Sequence, residues 1–290
     1  MKVFIAVDME GATGIVHHDQ LSPEGRGYSV GQRYLTGDVR AVIDGVTSVI
    51  PEATFVVGDG HGLMRNVILD ELPAHAALVV GPSRPENKPL CQCEGVTTDT
   101  DVAILVGFHS MAGTPRGLLA HTFVGALVSD WYLNGKVVGE AEMDAAILGA
   151  FDVPVVLITG NSDLEDEVRS WFPTVPFVST KQVLGPTAAI CYPPAFTRPA
   201  LQTAAAEAIR SHLQVAVAPY RPIPSSPASS TVIDIVMHRR EQADKAVKAP
   251  DVQRVDDFTI RSTGTDPAEA FRKVWRAVAA AMDEPAAWMV

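Results

Sequence analysis

Apolar residues follow two rhythms along this chain. Short unbroken runs occupy Val3 to Val7, Thr54 to Val57, Ala77 to Val80, Val102 to Val106 and Val155 to Ile158, each followed closely by a glycine. Continuous rather than alternating runs of this length suit strands buried on both faces of a mostly parallel sheet. Between them, apolar positions recur every three or four residues. Val39, Val42, Ile43, Val46, Val49 and Ile50 form one such stripe, and Met143, Ile147 and Ala150 another. A third opens with Ser162 and Glu165 at capping-box spacing and runs through Val168 to Trp171. Strands alternating with amphipathic helices predict an α/β, doubly wound, three-layer domain.

The rhythm changes after Pro176. A helix is predicted from Pro199 to Leu213, with Leu201, Ala205, Ala208 and His212 on one face. A stiff connector rich in Pro and Ser follows, Pro219 to Pro227, unfit for an interior strand or helix. Strands are then expected at Thr231 to His238 and Phe258 to Arg261. Asp266-Pro267-Ala268-Glu269 opens a final helix with a cap, a first-turn proline and a capping-box acid; its apolar face is Phe271, Val274, Trp275, Val278 and Met282. The expected division is a catalytic α/β domain over residues 1–185 and a smaller α+β domain over 186–290.

With 290 residues, 47% of them hydrophobic, the chain can build a substantial core. Its formal charge of -11 argues against a nucleic-acid or anionic-membrane surface, which needs clustered Lys and Arg. No apolar run approaches the ~18 residues that cross a bilayer. The chain starts on a strand, without a basic, apolar export-type leader, so a cytoplasmic protein is expected. Three cysteines, Cys91, Cys93 and Cys191, read as reduced thiols, since a lone Cys-x-Cys is a weak zinc signal.

Candidate chemistry gathers at the strand ends. Asp8 and Glu10 follow the first run, Asp59 and His61 the second long one, and His109 the run ending at Val106. Any one of these alone reads as a turn or a helix cap. Together they lie on the rim where open α/β sheets bind ligands. Glu140 shares the helical stripe of Met143 and Ile147 and should point inward, with Glu142 pointing away. Asp8, Glu10, His61, His109 and Glu140 suit two divalent ions, zinc most naturally, with Asp8 bridging. A metal pair acidifies a shared water and polarises a carbonyl, chemistry that fits amide or ester hydrolysis through a hydroxide. Asp59 is expected to orient an imidazole. His121 ends the Gly-rich loop Gly113 to Ala120 and can face the metals as acid/base, nucleophile or transition-state stabiliser, or be an ordinary loop histidine. His17 and His18 could rim the pocket; His75, His212 and His238 read as structural. The Gly58-Gly60-Gly62 run lacks nucleotide-binding spacing.

Asp8-Met9-Glu10-Gly11, Asp59-Gly60-His61, Gly107-Phe108-His109, His121-Thr122 and Gly139-Glu140 occur in the order of the M55 D-aminopeptidases, which the chain resembles from Met1 to about Cys191. The resemblance extends to Asn66 and Lys181. It implies two zinc ions held by Asp8, Glu10, His61, His109 and Glu140, and His121 as the catalytic, nucleophile-like histidine. It further implies an aminopeptidase that releases N-terminal residues, often D-alanine, from short peptides. The implied assembly is a homo-oligomer of two stacked five-membered rings, a homodecamer. Departures at Gly37-Asp38, at Gly160-Asn161-Ser162-Asp163 and over Asn87 to Cys93 avoid the ligands but bear on side-chain preference and stereochemistry. Two rivals share the motifs: a dinuclear amidohydrolase or deacetylase acting on a non-peptide amide, and a non-catalytic peptide-binding subunit.

Overall fold

The computed structural model describes residues 1–222 and 230–282. The connector predicted over Pro219 to Pro227 therefore lies, from residue 223, outside the described residues. Seven strands form the main sheet: β1 (Lys2–Val7), β2 (Thr54–Asp59), β3 (Ala76–Val79), β4 (Val102–Phe108), β7 (Val155–Asn161), β8 (Phe177–Gly185) and β9 (Ala188–Cys191). Their order is β3-β2-β1-β4-β7-β8-β9, parallel throughout except for the β8–β9 pair. The connections reverse direction between β1 and β4, and that crevice is where such sheets take ligands.

Period-two alternation hides inside the continuous apolar runs. Val3, Ile5 and Val7 of β1 enter one core with α1 (Tyr28–Thr47) and α4 (Pro194–Gln214). Phe4 and Ala6 enter the other, against α2 (Glu140–Ala150) and the second sheet. Helix α2 is buried nearly all round, so Glu142, expected to point away, is fully buried. Its carboxylate accepts the Gly139 N–H at 2.8 Å, an end-of-helix partner that the stripe argument did not weigh.

The second sheet is antiparallel, in the order β11-β12-β10-β5-β6. It joins β5 (Val128–Leu133) and β6 (Lys136–Val137) from mid-chain to β10 (Thr231–Met237), β11 (Val252–Arg254) and β12 (Thr259–Gly264). Helices α5 (Arg240–Ala246) and α6 (Pro267–Ala281) complete this unit. Sheet membership does not divide at residue 185: β9 follows it yet belongs to the large sheet, on which α4 packs, and β5–β6 precede it yet belong to the small one.

Local details depart from expectation for physical reasons. Helix α4 begins at Pro194, five residues early, because a proline is also tolerated in the first turn and Pro199 is accommodated inside. Ser162 does not cap α3 (Glu165–Trp171); its hydroxyl accepts the Val183 N–H of β8, and a 3-10 turn over Ser162–Leu164 intervenes. Asp266 does cap α6 by accepting the Glu269 N–H, while Glu269 reaches back to Thr265. At the Gly37-Asp38 departure, Gly37 lies against the Arg198 guanidinium of α4, the mobile end of a long side chain. Among the described residues, no helix is long and apolar enough to cross a membrane.

Candidate metal centre

Two glycines let the strand ends meet. A Cβ at Gly11 would strike the Phe108 carbonyl, and Gly107 takes φ +80° with the Asp8 carbonyl against its Cα. The Gly11 N–H donates to the Gly107 carbonyl at 2.8 Å and seals the approach. From the far side Lys181, fully buried on β8, donates to the carbonyls of Glu10 (3.0 Å) and Ala12 (2.7 Å) and to Asn161 Oδ1 (2.7 Å). Burial lowers its pKa to about 8, yet three acceptors hold it in place.

The structure brings all six predicted side chains to one point. His61 Nδ1 lies 2.8 Å from Glu10 Oε2 and 3.6 Å from Asp8 Oδ1. His109 Nε2 lies 3.4 Å from Asp8 Oδ2 and 3.5 Å from Glu140 Oε1. His121 stacks on His109 with ring centroids 4.3 Å apart, its Nε2 3.9 Å from Glu10 and 3.8 Å from Glu140. Ligand-type atoms fall into three groups: Asp8, Glu10 and His61; Asp8, His109 and Glu140; and Glu10, His109 and His121. The first two share Asp8 and together make the five-residue set, and the third brings His121 in beside them.

Backbone carbonyls orient the three imidazoles. His61 Nε2 donates to Leu21, His109 Nδ1 to Ser110 and His121 Nδ1 to Leu119, at 3.0, 2.8 and 2.9 Å. The other nitrogen of each ring is left for the centre. Asp59, expected to do this work, does not touch an imidazole. It accepts from the Asn66 N–H, the Asn66 amide and the Val67 N–H, at 2.5, 2.8 and 2.9 Å. Asn66 in turn donates to the His61 carbonyl at 2.7 Å, so Asp59 fixes the backbone of the His61 loop. A carboxylate followed by a Gly-rich turn looks the same in sequence whether it grips a ring or a loop.

Sequence reasoning missed the residues around Glu140. Gln92 donates to its Oε2 at 2.9 Å and the Phe123 N–H to its Oε1 at 2.6 Å. Phe123 adopts φ +55° to do so. One helical turn on, Asp144 is fully buried, and burial followed by the charge of Glu140 raises its pKa well above the carboxylate range. Glu142 is raised likewise by burial and by Glu167 beside it. Spacing from Glu140 could have flagged Asp144; nothing pointed to Gln92. His18 borders the cavity over the centre, whereas His17 is exposed and bonds Asp19. Cys91 and Cys93 are buried free thiols whose pKa burial pushes up.

The electrostatics ask for positive charge. Burial, then repulsion from Glu10, raises Asp8 to about 7. Burial would raise Glu10 too, but His61 outweighs it and holds that carboxyl well below its usual range. Burial disfavours charge on His61 and His109, yet Glu10 beside the first and Glu140 beside the second hold both well above the ordinary imidazole value. Asp8 Oδ2, Glu10 Oε2 and His109 Nε2 are buried without an aligned hydrogen-bond partner among the described residues. Inward lone pairs on buried atoms of this kind suit cations. The donor set, carboxylate oxygens and imidazole nitrogens, is one that zinc accepts.

A family model described as D-aminopeptidase matches residues 1–275. The chain belongs to the M55 D-aminopeptidase family. A D-aminopeptidase from Bacillus subtilis (strain 168) is 27% identical over 278 residues, 94% of each chain. The solved structure of the Zn-dependent D-aminopeptidase DppA from Bacillus subtilis, described as a self-compartmentalizing protease, superposes with a TM-score of 0.88. It is 26% identical and covers 98% of this chain and 99% of that one. For this M55 D-aminopeptidase family member, both sheets and the clustered rim thus fall inside the shared fold.

Proposed function

We propose that this chain is a zinc-dependent aminopeptidase that removes the N-terminal residue, of D configuration, from short peptides. The observation that carries the reading is the pair of three-residue groups sharing Asp8 at the β1–β4 switch point. Asp8, Glu10, His61, His109 and Glu140 would hold two zinc ions, with Asp8 common to both. Bound there, the ions would polarise the scissile carbonyl and acidify water.

His121 performs the proton transfer. It is the most exposed of the six, 27% against 12% or less for the others, and it lines a cavity of about 780 Å³ with Glu10 and His61. Because Nδ1 donates to the Leu119 carbonyl, neutral His121 presents a bare Nε2 to the cavity. Nε2 can take a proton during attack and return it to the departing nitrogen. Stacking on His109 fixes the ring plane, with the Glu10 and Glu140 carboxylates 3.9 and 3.8 Å from Nε2. Gln92 and the Phe123 N–H hold the Glu140 carboxylate in a single orientation.

Three free thiols fit a reducing, cytoplasmic setting, and assembly into a homo-oligomer accords with the description of DppA. The comparisons lend no support to a non-peptide amide substrate or to a non-catalytic subunit. Paired D- and L-aminoacyl amides test the reading. Chelation should abolish turnover, zinc should restore it, and the D series should be faster. Zinc-independent turnover, or preference for N-acyl amines, would overturn it.

A further inference from the structure

Two cavities reach the centre on different side chains. The first touches Glu10, His61 and His121. The second, about 900 Å³, touches Glu140 and Gln92 and runs between the Pro82–Glu86 segment and α6. They share only Gly62. Phe123, Val124, Cys91, Trp275 and Ala279 give the second a mostly apolar wall, with Arg84, Glu86 and Arg276 also lining it. Its aromatic side is held rigid: the Phe123 ring lies 4.7, 5.3 and 5.9 Å from Trp131, Phe271 and Trp275. Phe123 also joins cavity to centre, since its N–H bonds Glu140 Oε1.

We infer that this second cavity receives the side chain of the substrate's N-terminal residue and selects a bulky apolar or aromatic one over alanine. The inference rests on the aminopeptidase reading above and on the proton-transfer role of His121. A departing nitrogen must meet its proton donor. His121 faces the first cavity, so the leaving part of the peptide runs there. The acyl part then lies on the Glu140 side, where the second cavity opens. A methyl group leaves a space of that size almost unfilled, whereas an aromatic side chain buries about 150–250 Å² against such walls. Each further methylene in an apolar pocket changes kcat/KM roughly 10- to 200-fold.

Zinc-loaded enzyme is assayed on D-Phe-Gly, D-Ala-Gly and D-Ala-Phe, and binding of D-phenylalanine amide and D-alanine amide is measured by calorimetry. D-Phe-Gly should exceed D-Ala-Gly at least tenfold in kcat/KM, roughly one methylene's worth or more. Ala279→Trp, which fills the cavity from the face of α6 that carries Trp275, should collapse that ratio towards one and erase the difference in amide binding. Ala280→Trp, on the exposed flank of the same cavity, is the second variant should the first fold poorly. Equal rates and equal binding for the two N-terminal residues would overturn the inference. So would a variant that slows D-Ala-Phe while sparing D-Phe-Gly, because the cavity would then take the leaving residue. Absence of turnover on every peptide with zinc bound would count against the aminopeptidase reading instead, and the calorimetric difference would still decide the subsite.

Discussion

At the scale of the residue, position within one cluster separates roles that chemistry alone does not. Glu10 and His61 face the same point as His121, but they are more deeply buried, whereas His121 lies on the open side of the cluster. Glu10→Ala or His61→Ala should therefore lose bound zinc, read by elemental analysis, and lose activity with it. His121→Ala should keep its zinc and lose turnover by about 10²- to 10⁴-fold, the usual worth of a positioned acid/base. Full activity in that variant would remove His121 from the reaction. Asp59→Ala strands the three N–H donors of Asn66 and Val67. At about 1–3 kcal/mol for each buried group left unpaired, the variant should unfold at visibly lower urea and bind zinc more weakly, although Asp59 touches no imidazole. Strand-end acids and histidines were legible in sequence because topology alone gathers them on one rim. The target of Asp59 was not, since a loop and a ring compete for it only in three dimensions.

At the scale of the element, α1 and α4 are tied through one buried acid. Asp38 accepts from the Thr13 N–H at 2.7 Å and hydroxyl at 2.9 Å, beside Thr197 and Arg198 of α4. Burial raises its pKa from 3.8 to about 6. The folded chain then keeps a proton there that the unfolded chain releases between these values. Its contribution is fully present below pH 4 and falls as pH rises towards 6. Asp38→Asn should flatten this part of the stability curve, so that wild type and variant differ between pH 4 and 7 by at most about 3 kcal/mol. Urea titration at several pH values checks it; an unchanged slope would contradict the assignment. Periodicity revealed β1 to β4, β7, β10 and β12 and the apolar stripes of α1 and α6, but not β5, β6, β8, β9 or β11. It could not reveal that α4 packs on α1, or that β5 pairs with β10 a hundred residues later, because partner choice is a tertiary matter. Helix α2 shows the same limit, since a helix buried all round hides Glu142 and Asp144 as well as Glu140.

At the scale of the whole molecule, two sheets from interleaved segments meet over a cluster of three buried carboxylates. Cations that bind only the folded chain stabilise it by mass action, about 4 kcal/mol when free metal is a thousandfold above Kd. Removing zinc with a chelator should lower Tm by roughly 5–15 °C, and zinc should restore it. An unshifted Tm would mean that the carboxylates are satisfied by protons alone. The most direct test of the central claim is anomalous diffraction at the zinc edge from crystals of zinc-loaded protein. Two peaks are expected in each chain, one ringed by Asp8, Glu10 and His61 and the other by Asp8, His109 and Glu140. Peaks elsewhere, or none at these side chains, would contradict the account.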